Sequence, residues 1–323
     1  MPHMSVVVPT YNRQASLIRT LEALARQSLP THRFEVVVVS DGATDGTAAA
    51  VRSFAPPYRL RLLDQANAGP SAARNNGARA ACGEVLVYLD DDVEPGSGCL
   101  AEHERAHGED PMLVLIGPQS MPSRERFAVW VAWEHRMLEQ QYARFASGEW
   151  QAGPNNLYSG NFSVRRDHLL EAGGFDERFK RQEDVELGYR LARLGVRFRF
   201  EPRAAALHRP ARTYESWYAT PYLYGVRDVQ MARDKHQESV MELVRKHYRE
   251  RSALTRAFAR AVVGRRWAEA ATLALLKPAP IALDRAGLRA PALQALSVLF
   301  NLRYLQGMAA EIGGGAKLWR ALR

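Results

Sequence analysis

Cysteine is scarce in this sequence of 323 residues. Only Cys82 and Cys99 are present, and they do not form a CxxC pair. A disulfide framework and a cysteine-ligated zinc site both need more cysteines at characteristic spacings. The sequence therefore excludes both, and a reducing cytoplasm is the expected compartment.

Long apolar runs and targeting signals are also lacking. No uninterrupted apolar segment reaches the roughly 18 residues of a membrane-spanning helix. The chain passes from Met1 into the apolar residues 5–8 without a basic region or a small-residue cleavage site, so we expect no signal peptide. Neither GxxxxGKS nor GxxxxGKT occurs, which excludes a P-loop nucleoside triphosphatase.

Positive charge is concentrated at one end of the chain. The formal net charge is +9, yet residues 245–323 hold 15 Lys and Arg against 4 Asp and Glu, whereas residues 1–244 hold 29 against 31. A chain of this length with 46% hydrophobic residues can form one large domain with an appendage. The basic character therefore belongs to the C-terminal region.

Three consecutive aspartates follow a short apolar run. Residues 85–89 are apolar and partly β-branched, which predicts a central strand of a parallel sheet. Asp90, Asp91 and Asp92 come next, at the carboxyl end of that strand, where open α/β sheets place their ligands. Adjacent like charges repel unless a cation or a set of donors compensates them. Mg²⁺ or Mn²⁺ is the usual partner of such oxygen ligands, and a solvated acidic loop is the alternative.

Strand patterns alternate with helical patterns in units of about 30 residues, which predicts a right-handed βαβ arrangement with a parallel sheet. Asp41 follows the strand predicted at 34–39, and Arg74 is carried by a helix that opens in the Gly/Pro-containing segment 67–77, just before the strand at 85–89. We therefore expect Asp41, Arg74 and the aspartate triplet to meet at one edge of the sheet.

Four segments, in this order and spacing, carry a resemblance to a known family: VVVPTYNR, VVVVSDGATDGT, NAGPSAARNNGARAACGEVLVYLDDDVEP and SGNFSVRRDHLLEAGGFDERFKRQEDVELGYRLARLGVRFRFEP. Over about residues 4–210 the chain resembles the family 2 glycosyltransferases of the GT-A fold. Two departures are Ser40, where the family often has a second carboxylate, and Ala43, where it usually has serine.

Beyond about residue 214 the resemblance fades, and the composition there predicts a C-terminal helical extension. Over the preceding residues the resemblance implies an α/β fold of the GT-A type, a Rossmann-like and mostly parallel sheet flanked by helices. It implies a catalytic domain over 1–213, with a nucleotide-binding half (1–100) and an acceptor and catalytic half (101–213). The remaining residues, 214–323, form a basic helical region.

The resemblance also implies roles for particular residues. The expected nucleotide-binding residues are Pro9, Thr10, Tyr11, Asn12, Asp41, Arg74, Asp90 and Asp91. The expected ligands of Mn²⁺ or Mg²⁺ are Asp92, Asp90 and His208, with Asp92 the direct ligand and Asp90 nearer the ribose or sugar. The alternatives are that Asp41 belongs to a plain Asp-Gly turn and that Arg74 is a solvated helix residue.

The expected catalytic residues are Asp184 and Glu183, an ED pair whose aspartate is the general base in the family. An inverting transfer needs one carboxylate on the acceptor side of the anomeric carbon to take the hydroxyl proton. Acidic residues in the first turn of a helix are also expected from the helix dipole alone.

The segment from His103 to His107 matches HExxH, the helical zinc-protease motif. We expect the segment GEDP at 108–111 to end the helix directly after the second histidine, which leaves no place for a third ligand. Residues 96–101 match GxGxxA, but they follow a triple aspartate that would repel a dinucleotide pyrophosphate. We therefore interpret both motifs as coincidental.

These observations predict a metal-dependent, inverting glycosyltransferase that moves a sugar from a UDP-linked donor to a hydroxyl acceptor. The acceptors expected are a cell-envelope glycan, a polysaccharide, a lipid-linked sugar or a small molecule. The alternatives are a non-catalytic nucleotide-sugar or glycan-binding protein on the same fold and a metal-dependent nucleotidyltransferase.

The basic region 245–323 shows no nucleic-acid-binding motif. It suits peripheral contact with an anionic membrane, which would place the protein in the cytoplasm at the inner face of the membrane. The alternative is that its helices pack on the catalytic domain or on a second subunit, as in a homo-oligomer.

Overall fold

The computed structural model describes residues 3–123, 125–179 and 181–323. The strands are β1 (Met4–Thr10), β2 (Phe34–Asp41), β3 (Arg59–Gln65), β4 (Val85–Leu89), β5 (Val93–Pro95), β6 (Leu113–Ile116), β7 (Gln119–Ser120), β8 (Asn161–Arg165), β9 (Arg197–Phe200) and β10 (Ala206–His208).

The helices are α1 (Gln14–Leu24), α2 (Thr47–Ser53), α3 (Pro70–Ala80), α4 (Cys99–Glu109), α5 (Val129–Ala146), α6 (Arg166–Glu171), α7 (Glu183–Arg193), α8 (Tyr214–Asp234), α9 (Glu238–Glu250), α10 (Ala253–Val262), α11 (Arg266–Leu276), α12 (Ala279–Arg285), α13 (Arg289–Ile312) and α14 (Gly315–Ala321). Two short 3-10 turns cover Thr31–Arg33 and Pro154–Asn156.

The central sheet has seven strands in the order β3-β2-β1-β4-β8-β6-β9, and a small sheet has the order β5-β10-β7. In the central sheet β1, β2, β3 and β4 are parallel neighbours, and β8 runs antiparallel to both β4 and β6. The prediction of an α/β fold with a mostly parallel sheet flanked by helices is confirmed.

The central strands are apolar along their whole length because both faces of the sheet are covered. Val6 and Val8 of β1 join a cluster that contains Leu17 and Leu21 of α1. Val7, between them, joins a different cluster on the opposite face. Alternate residues of one strand thus enter two separate cores, which explains a continuous apolar run in place of an alternating one.

The antiparallel direction of β8 positions the site. Leu89, the last residue of β4, is paired with Asn161, the first residue of β8. The backbone N–H of Asp90 accordingly donates to the carbonyl of Gly160 at 3.4 Å. The residues just before β8 therefore lie beside the aspartate triplet.

Contacts divide the chain into two compact units. The first comprises residues up to 125 together with 138–210, and the second comprises 126–137 and 211–323. The division falls inside α5, and it groups residues 126–137 with the C-terminal helices. The domain boundaries expected from the sequence, at 100 and 213, stay a prediction.

The second unit is built around the pairing of α8 and α13. A Cβ added to Gly225 would lie 2.0 Å from the carbonyl oxygen of Tyr304, and one added to Gly307 would lie 1.9 Å from that of Tyr222. Glycine at both positions therefore permits the two helix backbones to touch. Among the described residues, no helix is both long and apolar enough to cross a bilayer.

Candidate active site

The polar residues of the site lie at the carboxyl edge of the central sheet. Asp41 ends β2, Thr10 ends β1, and Asp90 directly follows β4. Because β2, β1 and β4 are adjacent and parallel, their ends come together as the βαβ pattern predicted. Helix α7 begins at Glu183 and adds its first turn to this edge through contacts with α3 and with the segment before β8.

The three aspartates have different surroundings. The Asp90 side chain is 36% exposed, whereas those of Asp91 and Asp92 are 7% exposed. Asp91 Oδ2 accepts a hydrogen bond from Thr10 Oγ1 at 2.7 Å, and its backbone carbonyl accepts one from Thr20 Oγ1 at 3.1 Å. Burial raises the pKa of Asp91 to about 7, although the nearby Arg13 opposes the rise. Of the three, Asp90 is the one whose carboxylate faces solvent.

Asp92 is held between two basic side chains. Its Oδ2 lies 2.5 Å from Arg13 Nη1, and its Oδ1 lies 3.4 Å from Nε2 of His208. Burial alone would raise the pKa of Asp92, but the hydrogen bond and charge of His208, together with Arg13, outweigh burial and lower it. The structure thus brings Asp92 and His208 together, as the expected ligand set requires.

The donor types at this position suit a hard divalent cation, since carboxylates and an imidazole are available. However, Arg13 Nη1 also lies 3.3 Å from Asp91 Oδ1, so one guanidinium already compensates two of the three aspartates. Among the described residues, no group of three or more His, Cys, Asp or Glu side chains forms a ready metal centre. The residues fit a cation chemically, and Arg13 would have to leave Asp92 for it to bind there.

Arg74 connects the triplet to α7. Its Nη2 donates to Asp90 Oδ1 at 2.9 Å, and its Nη1 donates to Glu183 Oε1 at 2.8 Å. The guanidinium is buried and lies 5.5 Å from the ring centroid of Phe175. Burial alone would lower the pKa of Arg74, but the charges of Asp90 and Glu183 raise it. Arg74 is therefore a buried ion-pair partner and not a solvated helix residue.

Asp184 is partly buried and held by backbone donors. Its Oδ2 accepts from the N–H of Ser159 at 3.0 Å, and its Oδ1 accepts from the N–H of Val185 at 2.9 Å. Burial, followed by the charge of Glu183, raises its pKa to about 6. A carboxyl with this pKa is ionised near neutral pH and binds a proton more readily than an ordinary aspartate does.

The start of α7 is fixed by tight backbone geometry. Gln182, which precedes the helix, has φ of 57°, a left-handed conformation that is uncommon for a residue with a side chain. A Cβ on Gly188 would lie 2.3 Å from the carbonyl oxygen of Pro154, so α7 packs directly on the Pro154–Asn156 turn. This packing holds Glu183 and Asp184 at the sheet edge.

Asp41 is buried and tied to the loop that follows β3. Its Oδ1 accepts from Gln65 Nε2 at 2.7 Å and from the N–H of Ala68 at 2.8 Å, while its Oδ2 accepts from the N–H of Gly69 at 2.9 Å. Its backbone carbonyl accepts from Asn67 Nδ2 at 2.9 Å. The carboxylate therefore organises the turn into α3, which is more than a plain Asp-Gly turn requires.

The end of β1 and the residues after it form the side of the site next to Asp41 and the loop after β2. Pro9 is partly buried within β1, and Tyr11 is 51% exposed. Asn12 has φ of 53°, and its Oδ1 accepts from the N–H of Thr44 at 2.7 Å. Asn12 thereby joins the loop after β1 to the loop after β2, and the ring of Tyr11 is left open to solvent.

The two histidines of HExxH lie in a buried polar network. His103 contacts Ser163 Oγ at 2.7 Å through Nδ1 and Asn161 Oδ1 at 3.1 Å through Nε2, and His107 Nε2 contacts the same Ser163 Oγ at 2.8 Å. Burial lowers the pKa of His103 to about 4 and that of His107 to about 3. These contacts give the histidines a structural role that anchors α4 to β8.

Helix α4 ends at Glu109, within the segment 108–111 that was expected to end it. Arg105 Nη1 contacts Glu109 Oε1 one turn later, and such i,i+4 pairs stabilise a final helical turn. An exposed glycine costs only about 1 kcal/mol in a helix, so the helix can pass through it.

Several residues of the site were not among those expected from the sequence, namely Arg13, Gln65, Asn67, Ala68, Gly69 and Ser159. Arg13 directly follows the PTYN segment, and Gln65 ends β3 at the same sheet edge. Their positions in the sequence could therefore have predicted that they belong to the site. Ser159 begins the family segment SGNFSV, so its position also indicated the site, but its contact with Asp184 is made by a backbone N–H, which the residue type does not reveal.

The structure is an α/β fold with a mostly parallel central sheet and a cluster of polar side chains at the carboxyl edge of that sheet. The family profile described as Glycosyl transferase family 2 matches residues 5–173. The chain therefore belongs to glycosyl transferase family 2.

Several named relatives have similar sequences. A validoxylamine A glucosyltransferase of Streptomyces hygroscopicus subsp. limoneus is 33% identical over 244 residues, which cover 67% of this chain and 54% of that protein. A chondroitin synthase of Escherichia coli is 28% identical over 236 residues, which cover 64% of this chain and 34% of that protein. The chain thus spans about half the length of the first of these relatives and less of the second.

Solved structures share the fold. S. aureus TarS 1-349 in complex with UDP has a TM-score of 0.56 at 20% identity, covering 97% of this chain and 92% of that one. A mannosyltransferase PcManGT from Pyrobaculum calidifontis, in complex with GDP-Man and Mn²⁺, has a TM-score of 0.58 at 23% identity, covering 92% of this chain and 86% of that one. These similarities confirm the GT-A fold.

Proposed function

We propose that this protein is an inverting glycosyltransferase that moves a sugar from a UDP-linked donor to a hydroxyl group of an acceptor. The observation that carries the proposal is the chain of contacts Asp90–Arg74–Glu183, which places the first turn of α7 beside the aspartate triplet. Family membership supports the reaction class, and the UDP complex of a protein with the same fold supports the donor class.

Asp184 is the general base of the proposed reaction. Its carboxylate takes the proton from the acceptor hydroxyl while the hydroxyl oxygen bonds to the anomeric carbon and the diphosphate leaves from the opposite side. The N–H of Ser159 orients the carboxylate, and the raised pKa of about 6 matches a base that works near neutral pH. Glu183 pairs with Arg74 and positions Asp184 without taking the proton itself.

The donor nucleotide occupies the other side of the site in this proposal. The exposed ring of Tyr11 stacks on the base, and Asp41 accepts the N3–H of the uracil imide. Asp90, with its exposed carboxylate, contacts the ribose or the sugar, while Arg74 offsets negative charge nearby. Pro9, Thr10, Asn12 and Asp91 shape and support this side of the site.

Mn²⁺ or Mg²⁺ is the proposed cofactor, held by Asp92, Asp90 and His208. When bound, such an ion would neutralise charge on the diphosphate leaving group. Arg13 must leave Asp92 Oδ2 for the ion to bind, so the same carboxylate has two alternative cationic partners.

The acceptor class is proposed from chemistry alone. A partly buried carboxylate at a sheet edge suits a hydroxyl of a glycan, a lipid-linked sugar or a small polyol equally. The relatives named above differ in product, a chondroitin polymer in one and a glucosylated validoxylamine A in the other. We therefore propose a hydroxyl acceptor and leave open whether it is a glycan, a lipid-linked sugar or a small molecule.

The test is transfer from UDP-sugars to a panel of hydroxyl acceptors with Mn²⁺, in the wild type and in Asp184→Asn. We expect the variant to bind UDP-sugar with unchanged affinity in calorimetry and to lose transfer. Asp64→Asn, which alters an exposed carboxylate paired with Arg52, is the matched control and keeps wild-type transfer. Wild-type turnover in Asp184→Asn would remove the base assignment.

The rival functions give different products. A nucleotidyltransferase would release pyrophosphate from a nucleoside triphosphate, whereas the proposed reaction releases UDP from a UDP-sugar. A non-catalytic binding protein would bind UDP-sugar and release nothing. An assay that contains both a UDP-sugar and a nucleoside triphosphate, in which chromatography identifies UDP, pyrophosphate or neither as the released product, therefore distinguishes the three functions.

A further inference from the structure

Helix α11 exposes a complete apolar stripe. Trp267, Ala270, Ala271, Ala274 and Leu275 recur at i, i+3, i+4, i+7 and i+8, and all five are exposed. Trp267 is 75% exposed and Leu275 is 76% exposed. This spacing ordinarily marks the face of a helix that is buried in a core.

The opposite side of α11 packs on the core of the second unit. Ala268 is buried, and Leu273 and Leu276 pack on the cluster that contains Trp217 and Leu296. The stripe that begins at Trp267 is therefore an additional apolar face.

Helix α10 carries a second stripe of the same kind. Leu254 is 83% exposed and Phe258 is 40% exposed, and with the exposed Ala261 they stand at i, i+4 and i+7. Ala259 and Val262 face the interior. Helices α10 and α11 contact each other and are separated only by residues 263–265, so the two helices that carry the stripes are neighbours. We call the eight side chains of the two stripes the α10–α11 surface.

The charges around this surface are positive. Residues 253–289 hold seven Lys and Arg and two Asp and Glu. Arg260, Arg265 and Arg266 are exposed where α10 ends and α11 begins. A second copy of the chain would bring the same positive charges against each other, whereas an anionic lipid surface would attract them.

From this combination we propose that the α10–α11 surface docks on the surface of an anionic phospholipid bilayer. The helices have 10 and 11 residues, too short to span a bilayer, so they lie in the interface with their apolar stripes among the acyl chains. Trp267 is of the residue type favoured at this boundary, and arginine side chains extend from it to the headgroups.

The basic region 245–323 contains a second tryptophan, Trp319. In the structure Trp319 is only partly exposed, and its ring centroid lies 6.1 Å from that of Tyr248. The α10–α11 surface therefore excludes Trp319 and limits the contact to two helices of the basic region.

The experiment is flotation of the full chain with vesicles of phosphatidylcholine alone and of phosphatidylcholine mixed with phosphatidylglycerol. We expect flotation with the mixed vesicles that weakens as salt is added, because the attraction is screened. Trp267→Ser/Leu275→Ser should lower the partition coefficient by about tenfold or more, since two large apolar groups leave the acyl region. Trp150→Ser, at an exposed tryptophan of the first unit, is the matched control and should float as the wild type does.

A second double variant tests how much the positive charge contributes to vesicle binding. Arg265→Gln/Arg266→Gln should lower binding to the mixed vesicles by about 25-fold, at about fivefold for each arginine. Arg26→Gln/Arg79→Gln removes two exposed arginines elsewhere and should leave binding within about twofold. Equal losses in both double variants would show attraction by net charge alone and would overturn the proposed surface.

Vesicles with brominated lipid provide a readout in the wild-type fold. We expect quenching of tryptophan fluorescence that disappears in Trp267→Phe. Absence of flotation or of quenching in the wild type would overturn the proposal. So would a dimer that becomes monomeric in Trp267→Ser/Leu275→Ser with unchanged vesicle binding, because the surface would then bind a second copy. None of these readouts depends on sugar transfer, so this proposal can fail while the proposed reaction stands.

Discussion

The two compact units use arginine in opposite ways. In the first unit, Arg74 is buried between Asp90 and Glu183, so its charge is matched by carboxylates on both sides. In the second unit, Arg265 and Arg266 are exposed beside an exposed apolar stripe. A buried and compensated arginine organises a site, whereas exposed arginines beside apolar side chains form a surface for an external partner. The net charge of each unit alone would not distinguish these two uses of arginine.

The strongest test of the first unit is loss of the proposed base. We expect Asp184→Asn to lower the rate of transfer by about 10³-fold, because general base catalysis typically contributes about 10²- to 10⁴-fold. Single-turnover kinetics with a UDP-sugar should show the loss in the chemical step. Donor binding should stay within about twofold of wild type, since the amide keeps the shape of the side chain and its one oxygen can still accept from the N–H of Ser159, although the bond from the N–H of Val185 is then lost.

Removing the buried guanidinium should give the next largest effect. Arg74→Met leaves Glu183 buried without its partner, and breaking a buried pair costs about 3–5 kcal/mol. Hydrogen exchange at the β4 amides, which lie in the core of the first unit, measures the loss in free energy of unfolding.

The matched control for Arg74→Met is Arg52→Met. The Arg52–Asp64 pair has side chains that are 62% and 46% exposed, and exposed pairs contribute only about 0–1 kcal/mol. Equal effects of the two substitutions would contradict the view that Arg74 organises the site.

The pH dependence of transfer follows from Asp184. Its pKa is raised to about 6, and a general base must be ionised to accept a proton. We therefore expect kcat/KM to be level above that pH and to fall about tenfold per pH unit below it. A profile that stays level down to about pH 4, the ordinary range of aspartate, would show that Asp184 does not titrate as the base.

The smallest expected effect concerns Arg13 and the proposed cation. Arg13→Ala frees Asp92 Oδ2 from its guanidinium partner, so Mn²⁺ should bind roughly fivefold more tightly, in line with the modest strength of a partly exposed ion pair. Electron paramagnetic resonance of free Mn²⁺ measures this without any donor or acceptor. Arg13→Lys, which keeps the charge, should stay near wild-type affinity, and unchanged affinity in Arg13→Ala would show that the two cations do not compete.

Much of the first unit could be predicted from the sequence. Fully apolar runs indicated buried parallel strands, and the positions of Asp41 and Asp90 after two of these runs predicted that they share one edge. The βαβ rule converts order along the chain into neighbourhood in space, so local patterns sufficed for these residues.

Other parts depend on contacts that no local pattern encodes. Ser159 comes close to Asp184 because β8 runs antiparallel to its neighbours β4 and β6. The apolar pattern of a strand predicts that the strand is buried but not the direction in which it runs in the sheet. Likewise, the spacing in α11 predicts an apolar face but not whether protein covers it, and only the structure shows that Trp267 is exposed. The burial of Arg74 could not be predicted from local sequence either, because its partner Glu183 lies 109 residues away in the chain.

The most direct test of the central claim is the anomeric configuration of the product, measured by proton NMR after transfer from a UDP-α-sugar. With a single carboxylate base, Asp184, on the acceptor side and the diphosphate leaving from the other, we predict a β-linked product. An α-linked product would contradict this account of the site.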